Sequence, residues 1–251
     1  MIGPRVETLV DIASLDDDAL AAAYDLEDRS VPRLRVNFVT SLDGAVELDG
    51  FSAGLSGDAD KRVFGLLRMG CDGLLVGAGT LRHEGYGAVR LDESRRAWRR
   101  ARGLAEFPTL VVVSNRLELD PAQGAFADAP VRPIVLTRAD APADRRAALA
   151  PVADVIAVGD DAVDLRAALA VLRDRGLGQL LCEGGPHLFG ALTAADLVDE
   201  LCLSLSPLLV GPGPGRITAG PLSSVRRMAL RNVLTADGLL LLRYARNRTG
   251  P

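Results

Sequence analysis

Short, continuous apolar runs recur along the middle of the chain, and most are followed by glycine or polar residues before the next helical pattern. The runs cover residues 34–40, 74–76, 109–113, 133–136, 155–158 and 179–182. Runs of this kind are typical of parallel strands buried on both faces, because strands with one solvated face alternate apolar and polar residues. Their alternation with helices predicts a largely parallel sheet with helices on both sides.

The last fifty residues show a different pattern. Residues 200–206 alternate in their second half, and two further strand-like runs flank Asp237-Gly238, a dipeptide favoured in tight hairpins. We therefore predict an α/β fold of three layers (αβα), whose mixed, mostly parallel sheet ends in an antiparallel hairpin. Residues 34–251 are expected to form a single domain. The acidic residues 1–33 are expected to form an N-terminal arm laid on it, with little chemistry of their own.

The composition favours small-molecule partners. Of 251 residues, 48% are hydrophobic and only 4% are aromatic, so aliphatic side chains must build the core. The formal net charge of −4 gives no overall positive field to attract nucleic acid or anionic lipid. No apolar segment approaches the ~20 residues of a membrane span, and the start lacks a signal-peptide pattern. Three cysteines without paired spacing are expected to be buried thiols of a cytoplasmic protein.

Arginine supplies almost all of the positive charge. Of the 29 basic residues, only Lys61 is lysine and 28 are arginine. A biased codon supply explains this excess as well as any function does, because isolated surface cations contribute little to stability. The segment 90–102 contains six arginines and is predicted to be a solvated helix and loop.

The sequence lacks the residues that several common nucleotide-binding and metal-binding motifs require. With one lysine, followed by Arg62, the chain has no phosphate-binding loop of the G-x-x-x-x-G-K-[ST] type. The two histidines, His83 and His187, lack the spacing of zinc ligands, so we predict no metal site. The segment 77–82 begins like a dinucleotide fingerprint, but Arg82 stands where the third glycine belongs.

Glycine turns after apolar strands are the first candidate binding features. They lie at 77–80 and at 183–186. Strand ends of this kind form ligand crevices in open α/β sheets. At the second turn, two glycines let the backbone approach a ligand, and Pro186 suits the first position of a helix whose start carries ~+0.5 charge and favours a pyrophosphate. The alternative is a tight strand-to-helix turn that binds nothing.

Polar residues also follow the next two predicted strands. Ser114-Asn115-Arg116 and Thr137-Arg138 place hydroxyl, amide and guanidinium groups directly after apolar runs. These groups suit the 2′-phosphate of an adenosine, which would favour NADPH over NADH. Ordinary loop polarity is the alternative, because serine and asparagine are common turn residues.

Carboxylates and their neighbours give the remaining candidates. Asp43 lies in a turn after the first long strand, Asp60 in the first turn of a helix predicted over 58–69, and Glu183 at a strand end. Asp58 is expected to cap that helix, and favourable interaction with the helix start is the alternative role for Asp60. Asn37 is polar within an apolar strand, where burial requires a partner or a ligand.

Four motifs in this order resemble a known family: Ser41-Leu42-Asp43-Gly44, Leu75-Val76-Gly77-Ala78-Gly79-Thr80, Glu183-Gly184-Gly185-Pro186 and Leu197-Val198-Asp199-Glu200-Leu201. The chain is similar to the reductase domain of riboflavin biosynthesis, within the dihydrofolate-reductase-like fold. Asn37-Phe38, Gly85-Tyr86 and Leu242-Arg243-Tyr244 resemble the stand-alone pyrimidine-reductase branch. The resemblance covers about residues 34 to 246 and is specific in combination, although each motif alone is weak.

This resemblance implies NADPH as the hydride donor and a ribosylamino-pyrimidine phosphate as the substrate, reduced at the sugar C1 to its ribityl form. Together with the strand-end features, it gives these cofactor-binding candidates: Gly77, Gly79, Thr80, Ser114, Asn115, Gly184, Gly185, Pro186, His187 and Leu188. The substrate-binding candidates are Asn37, Asp43, Ser56, Arg68 and Glu84. Asp60 and Glu183 are the catalytic candidates, with Asp60 orienting the ring and assisting protonation. The family also implies a homodimer.

Other functions stay open at this point. The zinc-deaminase signature of the bifunctional family members is absent from this sequence, and Ala45 follows Gly44 where the family often has a basic residue. A pteridine or dihydrofolate is an alternative substrate for the same fold. A catalytically silent NADPH-binding regulator and a non-redox sugar-phosphate enzyme with Glu183 as its base are alternatives from other classes.

Overall fold

A computed structural model describes residues 9–213 and 215–246. Their strands are β1 (Val10–Asp11), β2 (Arg33–Ser41), β3 (Gly73–Gly77), β4 (Thr109–Val113), β5 (Ile134–Thr137), β6 (Asp154–Ala157), β7 (Gln179–Cys182), β8 (Glu200–Ser206), β9 (Met228–Ala236) and β10 (Leu239–Arg246). The helices are α1 (Asp17–Ala23), α2 (Asp58–Gly70), α3 (Ala78–His83), α4 (Glu93–Ala101), α5 (Gly124–Ala127), α6 (Ala143–Leu149), α7 (Leu165–Asp174) and α8 (Pro186–Ala194).

The strands form one sheet in the order β1-β9-β10-β8-β2-β7-β3-β4-β5-β6. Every pairing from β8 through to β6 is parallel. β10 is antiparallel to both β8 and β9, and a turn at Asp237-Gly238 joins β9 to β10. The predicted α/β fold, with a mixed, mostly parallel sheet and a closing hairpin, is confirmed.

The sheet is buried on both faces, as its apolar runs predict. Successive side chains of a strand point to opposite faces. Leu74 and Val76 of β3 therefore join the apolar cluster that contains α1 and α2, whereas Leu75 joins the cluster that contains α7 and α8. These two clusters give the three layers. Among the described residues, we find no helix with both the length and the apolar character needed to cross a bilayer.

The segment before β2 is part of the packed structure. β1 pairs with β9, and Leu20 of α1 is fully buried in the cluster shared with α2. The carbonyl groups at the end of α1 accept hydrogen bonds from two buried arginines: Arg35 donates to Tyr24 O (2.9 Å), and Arg243 donates to Ala23 O (3.1 Å). The segment is thereby tied to β2 and β10.

Glu200 of β8 lies between these two arginines. Arg35 Nε donates to Glu200 Oε2 (2.7 Å), and Arg243 Nη2 donates to Glu200 Oε1 (2.9 Å). All three residues are buried. Buried charges are stable only when they are paired and hydrogen-bonded, so this cluster satisfies one carboxylate and two guanidinium groups together.

Local predictions at two helix starts are wrong. Asp58 is the first residue of α2 and does not cap it, because Gly57 occupies the cap position without a side-chain hydrogen bond. The segment 77–80 is not an open glycine turn, since α3 begins at Ala78 immediately after β3. The second turn behaves as predicted, with Gly185 at the cap of α8 and Pro186 at its first position.

The prediction that the arginine-rich segment 90–102 is exposed to solvent is wrong at one position. Arg99 is only 1% exposed. Its guanidinium donates hydrogen bonds to the carbonyl groups of Met69 (2.7 Å), Cys71 (2.6 Å) and Ala105 (2.5 Å). Arg99 therefore fastens α4 to the end of α2, where carbonyl groups lack N–H donors within the helix.

Candidate active site

A cleft of about 650 Å³ lies beside the central strands of the sheet, bordered by α2, α3 and the start of α8. Central β2, the last residue of β3 and the residue after β7 contribute to its wall. The following predicted site residues line the cleft: Asn37, Ser56, Asp60, Arg68, Gly77, Gly79, Thr80, Glu84, Glu183, Gly185, Pro186, His187 and Leu188. Residues far apart in sequence therefore share one cavity.

An ion pair between Arg68 and Glu183 forms part of the cleft wall. Arg68 donates two parallel hydrogen bonds of 2.7 Å, from Nε to Oε1 and from Nη2 to Oε2 of Glu183. The Tyr86 hydroxyl donates a third bond of 2.7 Å to Oε2. The guanidinium also lies 4.2 Å from the ring centre of Phe64, which adds a cation–π contact. This geometry fixes both charged groups in place.

The surroundings keep the Arg68 guanidinium charged and the Tyr86 phenol protonated. Burial alone would lower the pKa of Arg68, but the charge and hydrogen bonds of Glu183 outweigh it and raise that pKa. Burial and the adjacent Glu183 carboxylate raise the pKa of Tyr86, so the phenol keeps its proton and remains a donor. Because both oxygens of Glu183 already accept protein hydrogen bonds, the geometry favours a positioning role for Glu183 over that of a free base.

Asp60 is a second buried carboxylate on α2. It is 5% exposed and accepts hydrogen bonds from the hydroxyl groups of Ser56 and Ser204. Ser204 belongs to β8, so the Asp60 carboxylate is held between the helix and the sheet. Its position at the cleft wall leaves it next to any molecule bound there.

Asn37 of β2 presents an unpaired amide to the same cleft. The residue is 8% exposed, and its side chain makes no hydrogen bond with any residue that the structure describes. A buried amide without partners is costly unless water or a ligand satisfies it. The sequence predicts that Asn37 needs a partner, and the residue borders a cavity in which a ligand could supply one.

The turn before α8 is shaped by close contacts. The peptide bond between Gly184 and Gly185 is cis. A Cβ atom on Gly185 would lie 2.3 Å from Thr80 Oγ1, and one on Gly184 would lie 2.6 Å from the Phe38 ring. Gly184 also has a φ of +85°, which side chains rarely adopt. Gly185 is required to bring the start of α8 against α3, and Gly184 lets the turn pass Phe38 of β2.

Four predicted site residues do not line the cleft. Asp43 is exposed, and its carboxylate accepts from the Val210 and Gly211 amides (3.0 and 2.7 Å), holding the loop after β8. Ser114 Oγ accepts from the Leu117 amide, and Asn115 Oδ1 accepts from the Val163 amide, each at 2.9 Å. These three side chains stabilise loops. Gly184 lies behind the cleft wall, against Phe38.

Sequence reasoning gave no role to Tyr86 and Phe64, which line the cleft, or to Ser204, which contacts the cleft residue Asp60. Tyr86 entered only as part of a motif, although it donates to Glu183. Phe64 stands four residues before Arg68 on α2, and that spacing places the two side chains on one face. Ser204 occupies a buried position of β8, whose residues alternate between buried and partly exposed. That pattern does not distinguish a serine that contacts a site residue from one that is simply in the core.

Comparison with known proteins identifies the family. Residues 32–241 match the model of the RibD C-terminal domain. A reductase from Archaeoglobus fulgidus is 29% identical over 181 residues, and one from Methanothermobacter thermautotrophicus is 30% identical over 182 residues. Each alignment covers 72% of this chain, and 82% and 80% of the respective relative; both relatives are named as 2,5-diamino-6-ribosylamino-4(3H)-pyrimidinone 5′-phosphate reductase.

A solved structure from Corynebacterium diphtheriae, described as a pyrimidine reductase-like protein, superposes with a TM-score of 0.79. It is 28% identical and is matched over 86% of this chain and 92% of its own length. The match to the family model includes β2 to β9 and the helices α2, α3 and α8 that border the cleft. The chain therefore belongs to the RibD C-terminal domain family.

Proposed function

We propose that the chain is an NADPH-dependent reductase of a ribosylamino-pyrimidine 5′-phosphate in riboflavin biosynthesis. The observation that carries the proposal is one cleft in which a helix start suited to a diphosphate faces the buried polar groups of Asn37 and Asp60. The names of the two archaeal relatives supply the substrate class. We place the enzyme in the cytoplasm, since its three cysteines are buried and unpaired, as is usual in a reducing compartment.

The start of α8 fits a dinucleotide coenzyme. Its first position is Pro186, and helix geometry leaves the amides of His187 and Leu188 without acceptors inside the helix. Both residues line the cleft, where these amides and the helix dipole would hold a diphosphate. Gly185 lets Thr80 of α3 lie against this helix start, and both residues line the same part of the cleft. When bound, the coenzyme supplies a hydride to the substrate.

The protein's own groups bind and orient the heterocycle. The Asp60 carboxylate accepts hydrogen bonds and suits ring N–H groups, while the Asn37 amide both donates and accepts. The Arg68–Glu183 pair keeps the wall rigid, because each partner is fixed by two parallel hydrogen bonds. Orientation of this kind lowers the barrier by holding the reacting carbon in place. The same pairing of Glu183 disfavours the alternative in which that residue acts as a base.

The direct test is consumption of NADPH, followed at 340 nm, with 2,5-diamino-6-ribosylamino-4(3H)-pyrimidinone 5′-phosphate as the substrate. We expect oxidation that depends on the pyrimidine, with dihydrofolate supporting little or none. Preference for dihydrofolate would reassign the substrate. Coenzyme binding without oxidation by any pyrimidine or pterin would support the silent regulator instead.

Selectivity for NADPH is proposed to come from Arg116. Arg138, the other predicted candidate, is occupied by Asp140 and by the carbonyl groups of Asn115 and Asp161. Arg116 is exposed after β4; its carbonyl accepts from Arg145, but its guanidinium makes no hydrogen bond or ion pair with a described residue. Arg116→Ala should therefore weaken NADPH binding by about 10-fold, the usual scale of a charge-assisted hydrogen bond.

Fluorescence titration with NADPH and NADH measures this effect. NADH affinity should be unchanged in Arg116→Ala, since NADH lacks the 2′-phosphate. Arg231→Ala is the matched control, because Arg231 is likewise exposed and unpaired among the described residues but lies on β9. Equal loss of both coenzymes, or no loss of either, would contradict the role of Arg116.

We further propose a homodimer through the segment between β8 and β9. This segment exposes Leu209 (78%), Val225 (88%) and Leu222 (46%). Exposed apolar side chains that are grouped mark association surfaces. Light scattering should give a dimer for the wild type and a monomer for the Leu209→Glu, Val225→Glu double variant. Val31→Glu, which changes an exposed valine elsewhere, should leave the dimer intact; a monomeric wild type would contradict the proposal.

A further inference from the structure

We propose that Lys61 binds the phosphate of the substrate and sets the preference for a phosphorylated sugar. The inference rests on the proposed function, because that function supplies a substrate with a phosphate. Lys61 lies on α2 and lines the cleft, directly after the buried Asp60. Nothing in the sequence pattern distinguished it beyond its being the single lysine.

The charges of the cleft leave Lys61 as the available cation. Arg68 is the other lysine or arginine along the cleft wall, and its guanidinium is taken up by both oxygens of Glu183. The ammonium of Lys61 makes no ion pair or hydrogen bond with any described residue; its backbone amide donates to the Gly57 carbonyl at the start of α2. A phosphate entering the cleft therefore meets one uncompensated positive side chain.

The remaining carboxylates of the cleft support the assignment of Lys61 as the phosphate-binding residue. Asp60 accepts from two serine hydroxyls, and Glu84 accepts from the Ser52 amide, but neither faces a basic side chain in the described structure. Glu47 also lines the cleft. These groups repel a phosphate from most of the wall, so its position depends on the side chain that offsets them.

The chemistry of the residue suits this task. A lysine at the rim keeps its ammonium in water on a flexible stem, and it acts as a compact point charge toward a phosphate. Lys61 is exposed, so its ammonium is free to follow the ligand.

Calorimetric titration of the full chain with ribose 5-phosphate and with ribose tests the inference without turnover. Lys61→Met should weaken binding of ribose 5-phosphate by about 10- to 100-fold, the range for a lost charge-assisted contact, and leave ribose unaffected. Lys61→Arg should restore part of the affinity. Arg231→Met controls for the loss of one exposed positive charge.

Kinetics with the pyrimidine 5′-phosphate and its dephosphorylated form provide the second readout. Lys61→Met should raise KM for the phosphorylated substrate by a similar factor, with kcat and the KM for the dephosphorylated form nearly constant. Unchanged ribose 5-phosphate affinity in Lys61→Met, or no binding to the wild type, overturns the inference. Lys61-dependent binding without any pyrimidine reduction would instead overturn the proposed function and leave the phosphate contact standing.

Discussion

Replacing Glu200 by alanine is expected to lower the free energy of unfolding by about 3–5 kcal/mol, the usual cost of removing one partner from a buried ion pair. Glu200 is 4% exposed and pairs with both Arg35 and Arg243. The variant therefore leaves buried Arg35 without a carboxylate partner and Arg243 with Asp25 as its remaining one. Urea unfolding followed by circular dichroism measures the change.

Glu106→Ala is the matched control for this prediction. Glu106 pairs with Arg96 and Arg100 at the surface, where an ion pair contributes at most about 1 kcal/mol. If Glu200→Ala were no more destabilising than Glu106→Ala, the buried cluster would not be what holds β2, β8 and β10 together.

The same cluster predicts a dependence of stability on pH. Burial raises the pKa of Glu200, but the hydrogen bonds and charges of Arg243 and Arg35 outweigh it and hold that pKa below its usual 4.5. A carboxylate with a lowered folded-state pKa stabilises fully above its unfolded-state pKa and loses this contribution as the pH falls through the folded-state value. The wild type should therefore lose stability below about pH 4.5 more steeply than Glu200→Ala.

Asp60→Asn is expected to lower kcat by about 10²- to 10⁴-fold, the range for loss of a proton-transferring or proton-accepting group. The amide nearly preserves the shape of the carboxylate but places a donor where ring N–H groups need an acceptor. NADPH affinity should stay constant, because the proposed coenzyme contacts lie on α8, on α3 and after β4, away from Asp60 on α2. Steady-state rates with the pyrimidine substrate and a coenzyme titration give both values.

Asp58→Asn provides the comparison on the same turn of α2, since Asp58 is exposed at the first helical position. It removes the same charge from the helix start and should leave kcat within a factor of about two. If Asp60→Asn left turnover unchanged, Asp60 would have no catalytic role and would only stabilise the start of α2.

The fold was largely predictable from sequence because its signals are local. Continuous apolar runs marked the buried parallel strands, and Asp237-Gly238 marked the closing hairpin. Gly185 and Pro186 marked the start of α8, since each is suited to a specific helix position. The boundary of α2 was misjudged by one residue, because aspartate is favourable both at a helix cap and within the first turn.

The site was only partly predictable, because tertiary contacts decide which polar residues share a cavity. Glu183 and Arg68 are 115 positions apart, and no spacing rule connects them. Asn115 and Asp43 are residue types that often bind ligands and also often form turns. Here their side chains accept hydrogen bonds from backbone amides of distant loops. Arg99 likewise resembles a surface arginine in the sequence, because its carbonyl partners are set by tertiary structure.

The match to the family model begins at residue 32, but the packed structure begins earlier. A chain cut at that point would lose the carbonyl acceptors of Ala23 and Tyr24, and with them the anchorage of two arginines from opposite ends of the sequence. Expression of the shortened form should therefore yield aggregated material. The limits of an alignment are a poor guide to where this protein can be truncated.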